Sequence, residues 1–412
     1  MRPNIVAGLD IGSTKTCAVI LGVDGEIPRR PTYRVLGVGQ ARAGGVRREL
    51  VTDLEEMTES IRQAMKEAEL MAGVSVDRLY VGVAGEHIHG KLSTGVVAVS
   101  RGEIGQSDVR RVHEVARAVA VPQDREVLHV LPQGYLVDER AGIRDPVGMM
   151  GTRLEAEVYI ITSSAIALQN RRRAIERAGY RITALVHEPL AAGQSVLVED
   201  ERDVGVALVD LGGAATELAI FEEGRLRHQA TIPWGGVTVT NDLAKGLSIT
   251  YAEAERTKER YGVASAQLVD PREMIEVPGP GPGTKREVPR ELVAHIIEQR
   301  IDEILGLVAR EVESAGVSDP SRLGAGVVLT GGGAALVGAT EVAQHVFGLP
   351  VRVGFAGEGL SGLADSVRPT KLATATGLAL YGAEHSLETG GFTGGFAEGT
   401  LGKLVAWLKD FF

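Results

Sequence analysis

The chain has 412 residues, too many for one ordinary hydrophobic core, so two or more lobes are expected. Its 44 Lys and Arg against 54 Asp and Glu give a formal charge of -10, which argues against a nucleic-acid partner, since such proteins draw affinity from clustered basic side chains. A single cysteine, Cys17, excludes an intrachain disulfide and a cysteine-built zinc site, and fits a reducing cytoplasm. The start, MRPNIVAGLDIG, runs into a strand and a glycine turn without a signal-peptide pattern. No stretch approaches the roughly 18 apolar residues of a membrane span, so neither export nor a crossing is expected.

In chain order, IVAGLDIGSTKTCAVIL (5–21) reads as a β-hairpin whose first strand ends in Asp10 before a glycine turn. Residues 53–72 carry apolar side chains at helical spacing behind Asp53 and predict a helix. LYVGVAG reads as a strand, and residues 107–120 as an amphipathic helix opened by Ser107 and Asp108. With LHVLPQGYLVD and EAEVYIITSS as strands, this region predicts a small α+β module inserted in the first lobe. Residues 165–178 predict a basic-faced helix, and ITALVHEPLAAGQSVL a strand running into a helix at His187 to Pro189. VGVALVDLGGAATELAIF (204–221) then repeats the pattern of the first hairpin, with Asp210 in the place of Asp10, which suggests two related lobes. VPGPGPGTKREVP (277–289) predicts an exposed irregular loop, dispensable to the core. From Gly382 onward, GAEHSLETGGFTGGFAEGT predicts a flexible tether before a short amphipathic segment.

Glycine turns let backbone N–H groups close on anionic phosphates. Gly12, Ser13 and Thr14 would form one such grip and Gly212, Gly213 and Ala214 the other. Asp10 and Asp210, just ahead of them, are placed to hold a hydrated magnesium ion. Lys15 reads either as a phosphate contact or as a solvated lysine at a strand start. VVLTGGGAALVG (327–338) follows a strand and opens a helix, so Gly331, Gly332 and Gly333 read as a backbone ledge for adenosine or as an ordinary turn.

The ordered set GLDIGST, HEPLAAG, VDLGGAATE, LTGGGA and ATATGLALYG resembles the ATPase motifs of the actin superfamily. The resemblance implies an α/β actin-like (ribonuclease H-like) ATPase fold, two lobes around a nucleotide cleft, with ATP and Mg2+ as cofactors. It makes Glu188 the candidate for positioning the attacking water, although a carboxylate at a helix start is also stabilised by the helix dipole. Asp210 joins it as a catalytic candidate, and Thr216 falls within the nucleotide-binding motif. AEAERTKERYG (252–262) resembles the helix whose Glu and Lys bracket ribose and adenine, here Glu255 and Lys258, which also read as an exposed helical pair. Gly235 and Gly236, after TIPW, resemble the turn over the terminal phosphate.

LHVLPQGYLVDERAGIRDPVGMMGTRLEAEVYIIT (128–162) resembles the subdomain 1C of the bacterial division family FtsA, and the likeness runs from Ile5 to the end of the chain. It implies lobe one over 1–82, subdomain 1C over 83–163, lobe one again over 164–198, lobe two over 199–363, and a last return to lobe one over 364–383. A linker over 384–399 and a membrane-targeting helix over 400–412 complete the scheme. Implied partners are FtsZ through its C-terminal peptide, later divisome proteins, further copies in a filament, and the cytoplasmic face of the inner membrane at the septum. Weak ATPase activity at most is implied.

On a helical wheel Leu401, Leu404, Val405, Trp407, Leu408, Phe411 and Phe412 fall within roughly 160°. Half-burial of each in an interface is worth on the order of 1 kcal/mol, so hydrophobic insertion outweighs the contribution of Lys403 and Lys409. Two alternatives share the fold: a scaffold like PilM of type IV pili, and a small-molecule kinase, for which no second-substrate pocket with a base is visible in the sequence.

Overall fold

The computed structural model describes residues 4–24, 31–119, 121–279, 281, 283–316 and 320–388. The chain opens with an antiparallel meander of β1 (Asn4–Ile11), β2 (Lys15–Asp24) and β3 (Thr32–Arg42). A short hairpin, β4 (Val46–Arg47) and β5 (Leu50–Val51), leads into α1 (Leu54–Ala72). Helix α1 begins where the Asp53 carboxylate accepts the N–H groups of Glu55 and Glu56, and ends at left-handed Gly73. Its Met57, Ile61, Ala64, Met65 and Ala68 lie fully buried on the sheet, about 2 kcal/mol for each large side chain. β6 (Arg78–Val83) then joins β1 in parallel.

The inserted module follows as β7 (His89–Ala98), α2 (Gln106–Arg117), β8 (Arg125–Val137), β9 (Arg140–Ile143) and β10 (Arg153–Ser164), in sheet order β7-β10-β8-β9 with α2 against β7 and β10. Helix α2 starts one residue before the expected Ser107, because Asp108 reaches back to the Gly105 N–H at 3.1 Å, and it ends at Arg117 rather than at 120. Back in lobe one come α3 (Ala165–Ala178), β11 (Arg181–His187), α4 (Glu188–Val196) and α5 (Glu199–Val204).

Lobe two repeats the opening meander with β12 (Val206–Leu211), β13 (Thr216–Glu222) and β14 (Arg225–Ile232). After α6 (Gly236–Gly246) and α7 (Tyr251–Tyr261) come β15 (Met274–Pro278), β16 (Lys285–Pro289), α8 (Arg290–Ser314), β17 (Val327–Thr330), α9 (Ala339–Phe347) and β18 (Val351–Val353). The chain closes on lobe one with β19 (Leu360–Gly362) and α10 (Ala373–Glu388). The two main sheets run β11-β6-β1-β2-β3-β19 and β14-β13-β12-β17-β18. Alternation along β1 divides the lobe-one core: Ala7, Leu9 and Ile11 face α1, whereas Val6 faces α10. Among the described residues no helix is long and apolar enough to cross a membrane.

Four expectations need correction. Residues 277–289 are not irregular throughout: β15 and β16 pair from Met274↔Pro289 to Pro278↔Lys285. Ile275, Val277 and Val288 point inward and belong to the lobe-two core, so the segment is not dispensable to it. The three glycines do not open a helix directly; Gly333–Ala335 form one 3-10 turn, and α9 starts after left-handed Gly338. The return to lobe one begins before 364, since β19 already pairs with β3. Finally, α10 continues through Glu388, so the first residues of the expected linker are helical. The remaining linker and the membrane-helix residues Leu401, Leu404, Val405, Trp407, Leu408, Phe411 and Phe412 lie outside the described residues.

Candidate nucleotide site

The two hairpins set equivalent acids in equivalent places. Asp10 lies opposite Cys17 at the end of the first, and Asp210 opposite Glu217 at the end of the second. The turns that follow meet across the cleft: a Cβ added to Gly213 would stand 2.5 Å from Thr14 Cγ2. Gly12 N–H closes its own turn on the Lys15 carbonyl at 3.0 Å, and Gly212 N–H bonds the Asp210 carbonyl at 3.0 Å. Among the described residues no acceptor takes the backbone N–H groups of Ser13, Thr14, Gly213 or Ala214. Two short rows of free donors therefore stand side by side where the two turns meet.

Glu188 is the first residue of α4, and its side chain is 12% exposed. Arg171 of α3 stands 3.8 Å from its Oε1, close enough for an ion pair but too far for a hydrogen bond, so that oxygen is buried without a hydrogen-bond partner. Arg171 itself is fully buried and spends its Nη1 on the Gly82 carbonyl. Burial first, then the charges of Asp10 and Glu49, hold the Glu188 carboxyl well above the usual carboxylate range, with Arg171 opposing them. Asp210 is also raised by burial, against the opposing charge of Lys15, and accepts the Thr374 hydroxyl of α10 at 3.1 Å. Lys15 bonds Asp10 Oδ2 at 3.3 Å and the Lys371 carbonyl. Burial disfavours its ammonium, but Asp10, Cys17 and Asp210 outweigh that effect and its pKa is raised.

The outer wall is built on lobe two. The Gly235–Gly236 turn folds onto the second hairpin through Gly236 N–H to the Gly212 carbonyl at 3.0 Å and Val237 N–H to the Gly213 carbonyl at 2.8 Å. Lys258 of α7 donates to the Gly236 carbonyl at 3.1 Å, to Thr240 Oγ1 at 2.8 Å and to Glu255 Oε2 at 2.9 Å. Glu255 and Lys258 are thus fastened to the turn at the start of α6 rather than standing as a free surface pair. Gly331, at a φ of 83°, lies so near Asp210 that a Cβ there would meet Oδ1 at 2.1 Å, and Gly333 lies against Leu211. Gly332 has open space where a Cβ would be. Thr216 is placed differently from the other candidates: it is fully buried and its hydroxyl bonds the Trp234 carbonyl at 2.8 Å, setting the position of the Gly235 turn from below.

Three contributors escaped the sequence reading. Glu217 shares the face of Asp210 as its cross-strand partner, and counting the hairpin register would have found it. Glu49 and Arg171 had no local signal, because a turn between two-residue strands and one arginine among several give no periodicity to read. Glu49, Glu188 and Glu217 each keep one buried oxygen without a hydrogen-bond partner. Free N–H rows beside carboxylates with unused oxygens suit a polyphosphate and a hydrated cation. Among the described residues no three or more acids or histidines converge as a metal cage. Magnesium does not require one, since it keeps several waters and takes one or two carboxylates plus phosphate oxygens.

The comparisons with known proteins agree along the chain. A family model described as "Cell division protein FtsA" matches residues 207–377, and one described as "SHS2 domain inserted in FTSA" matches residues 85–162. The cell division protein FtsA of Neisseria meningitidis serogroup B is 40% identical over 420 residues, covering 99% of this chain and 98% of that protein. This chain belongs to the FtsA family. FtsA of Escherichia coli K12 is 37% identical over 390 residues, covering 93% and 91%, and FtsA of Bacillus subtilis is 40% identical over 351 residues, covering 85% and 78%. Among solved structures, the PilM–PilN type IV pilus biogenesis complex superposes with a TM-score of 0.65 at 15% identity, covering 92% of this chain and 98% of that one. MreB5 of Spiroplasma citri bound to ADP gives 0.56 at 13% identity, covering 95% and 99%. These likenesses establish the actin-like fold for the FtsA-family chain, and the sequence relatives place it with bacterial cell division.

Proposed function

We propose that this chain is an ATP-binding, actin-like division scaffold that polymerises on the cytoplasmic face of the inner membrane, tethers FtsZ through that protein's C-terminal peptide, and recruits later divisome proteins. The observation that carries the reading is the pair of facing hairpin turns, with their free N–H groups and an acidic residue at the end of each first strand. Ser13, Thr14, Gly213 and Ala214 would donate to phosphate oxygens, Gly235 and Gly236 would close over the terminal group, and Lys15 would balance charge. Asp10 and Asp210 would hold a magnesium ion through its waters; when bound, that ion neutralises phosphate charge. Glu255 and Lys258 would border the ribose, with Gly331, Gly332 and Gly333 as the ledge beneath adenosine. Glu188 would orient a water. Burial and the charges of Asp10 and Glu49 raise its pKa, which makes its carboxylate a better acceptor for a proton from that water than an ordinary surface glutamate.

A pilus scaffold or a kinase shares this fold, but family membership along nearly the whole chain supports the division role. Sedimentation with lipid vesicles tests the proposal, comparing the intact chain with one ending at Thr400, each with and without Mg-ATP. Only the intact chain should pellet, and more of it with nucleotide, since one short helix binds reversibly and several subunits hold together. Equal pelleting of both chains, or no effect of nucleotide, rejects the membrane-scaffold reading.

A further inference from the structure

The hairpin of β4 and β5 carries a residue that the nucleotide reading leaves unused. Its two-residue turn, Arg48–Glu49, has φ values of 46° and 62°, a left-handed pair that L side chains adopt at a cost and that hairpins usually give to Asn and Gly. The hairpin is not loose: Thr52 and Asp53 N–H groups bond the Gly45 carbonyl at 2.7 and 3.1 Å, and Gly45 N–H bonds Glu56 of α1 at 3.0 Å. The strained turn is thereby held against the start of α1 and directs Glu49 inward.

Glu49 is 9% exposed. Its Oε1 accepts the Ser13 hydroxyl at 2.8 Å, and its own N–H donates back to Ser13 Oγ at 3.3 Å. A side chain on Gly85 would block it, since a Cβ there would stand 2.8 Å from the Glu49 Cβ. Its Oε2 is buried without a hydrogen-bond partner. Strain, a cleared path and an unsatisfied buried oxygen converge on one side chain, the pattern of a group held for a task rather than for packing.

We propose that Glu49 is a positioning residue for nucleotide phosphates: by bonding Ser13 twice it fixes the first phosphate turn, keeping the Ser13 and Thr14 N–H groups aimed into the cleft. This rests on the ATP-binding reading above. The two effects of Glu49 on a triphosphate oppose each other, because its charge repels the ligand while its brace orders the turn. Glutamine separates them, as it keeps an acceptor for Ser13 and loses the charge, whereas alanine loses the charge and the side-chain acceptor and keeps only the backbone N–H bond to Ser13.

The experiment is titration of purified full-length protein with fluorescent Mg-ATP, for wild type, E49Q, E49A, S13A and the pairs S13A/E49Q and S13A/E49A. E49Q should bind at least as tightly as wild type, and E49A about tenfold more weakly than E49Q, the loss expected for one hydrogen bond to a charged or amide acceptor. With Ser13 already replaced, E49Q and E49A should bind alike. Should E49A fail to fold, S13A breaks the same brace from the other side and must show a comparable loss against wild type. Equal affinities for E49Q and E49A with Ser13 intact overturn the proposal, as does an undiminished gap between them in the S13A background. If wild type binds no Mg-ATP, the ATP-binding reading fails and the brace has nothing to position; if wild type binds and the Glu49 variants do not differ, only the brace fails.

Discussion

Replacing Glu217 by glutamine should make the fold less sensitive to rising pH. Glu217 sits on β13 directly across from Asp210 and is 7% exposed. Its Oε2 accepts the Thr231 hydroxyl at 2.7 Å, while Oε1 has no hydrogen-bond partner. Burial pushes its pKa from 4.5 up to about 8; the Thr231 bond opposes the rise, and the charges of Glu49 and Asp210 add to it. A carboxyl whose folded pKa is raised keeps its proton in the native state longer than in the unfolded one. Its contribution is therefore fully present below pH 4.5 and is lost as pH climbs through about 8. At about 1.4 kcal/mol per pH unit within that window, the loss between about pH 5 and pH 7 is about 3 kcal/mol. Glutamine keeps an acceptor for Thr231 and cannot ionise. Thermal unfolding of wild type and E217Q at matched pH values should show the difference widening in favour of E217Q, by about 1 °C for each kcal/mol in a chain of 412 residues. Glu49, Glu188 and Asp210 are raised in the same direction, so both proteins lose stability with pH and the difference between the curves is the signal. Parallel curves would refute the reasoning.

Two glycines give sharper steric tests. Valine at Gly213 would press on Thr14, which a Cβ alone approaches to 2.5 Å, and should weaken Mg-ATP binding by more than about tenfold while leaving the melting temperature nearly unchanged; fluorescent-nucleotide titration and a melting curve check both. Gly377 of α10 lies against α4, where an added Cβ would stand 1.7 Å from the Ala191 carbonyl, so G377A should cost about 3 kcal/mol or more, and an unchanged melting temperature would show that the two helices do not cross so closely.

Much of this architecture was legible in the chain. The hairpin repeat announced itself because a strand, an acid and a glycine turn are local features, and Asp10 and Asp210 occupy matching register positions. Helix α1 was equally plain, from Asp53 at its start to the buried stripe at helical spacing. The 277–289 segment misled because Pro and Gly dominate its composition, whereas the inward alternation of Ile275, Val277 and Val288 is what fixes the β15–β16 pair. Glu49 and Arg171 could not be found from the sequence: their roles come from long-range packing, with Glu49 36 positions from Ser13 and Arg171 89 positions from Gly82. Local pattern reveals elements and turns, and only the fold reveals which charges meet.

The inserted module, which looks like an appendage in the sequence, is part of the structure around the cleft. Its Gln133 is 2% exposed; the side-chain amide donates to the Leu226 carbonyl at 3.1 Å and its Oε1 accepts from Arg227 at 3.1 Å, while its own carbonyl accepts from Arg225 at 2.8 Å. These three partners lie on β14, the edge strand of the lobe-two sheet, so the module covers an edge that would otherwise be open. Ile88, Tyr159 and Ile161 at the root of the module and on β10 share one buried cluster with Ala192 of α4, Ala219 of β13 and Val328 of β17. His129 of β8 accepts the N–H of His187, the residue just ahead of Glu188, at 2.9 Å. One apolar core thus joins both lobes and the insert, and one hydrogen bond joins the insert to the start of the helix that carries Glu188. Separating the lobes at this point would expose Leu226 and Phe221 and strand the buried amide of Gln133, so the geometry of the cleft and the seating of the insert are set by the same contacts.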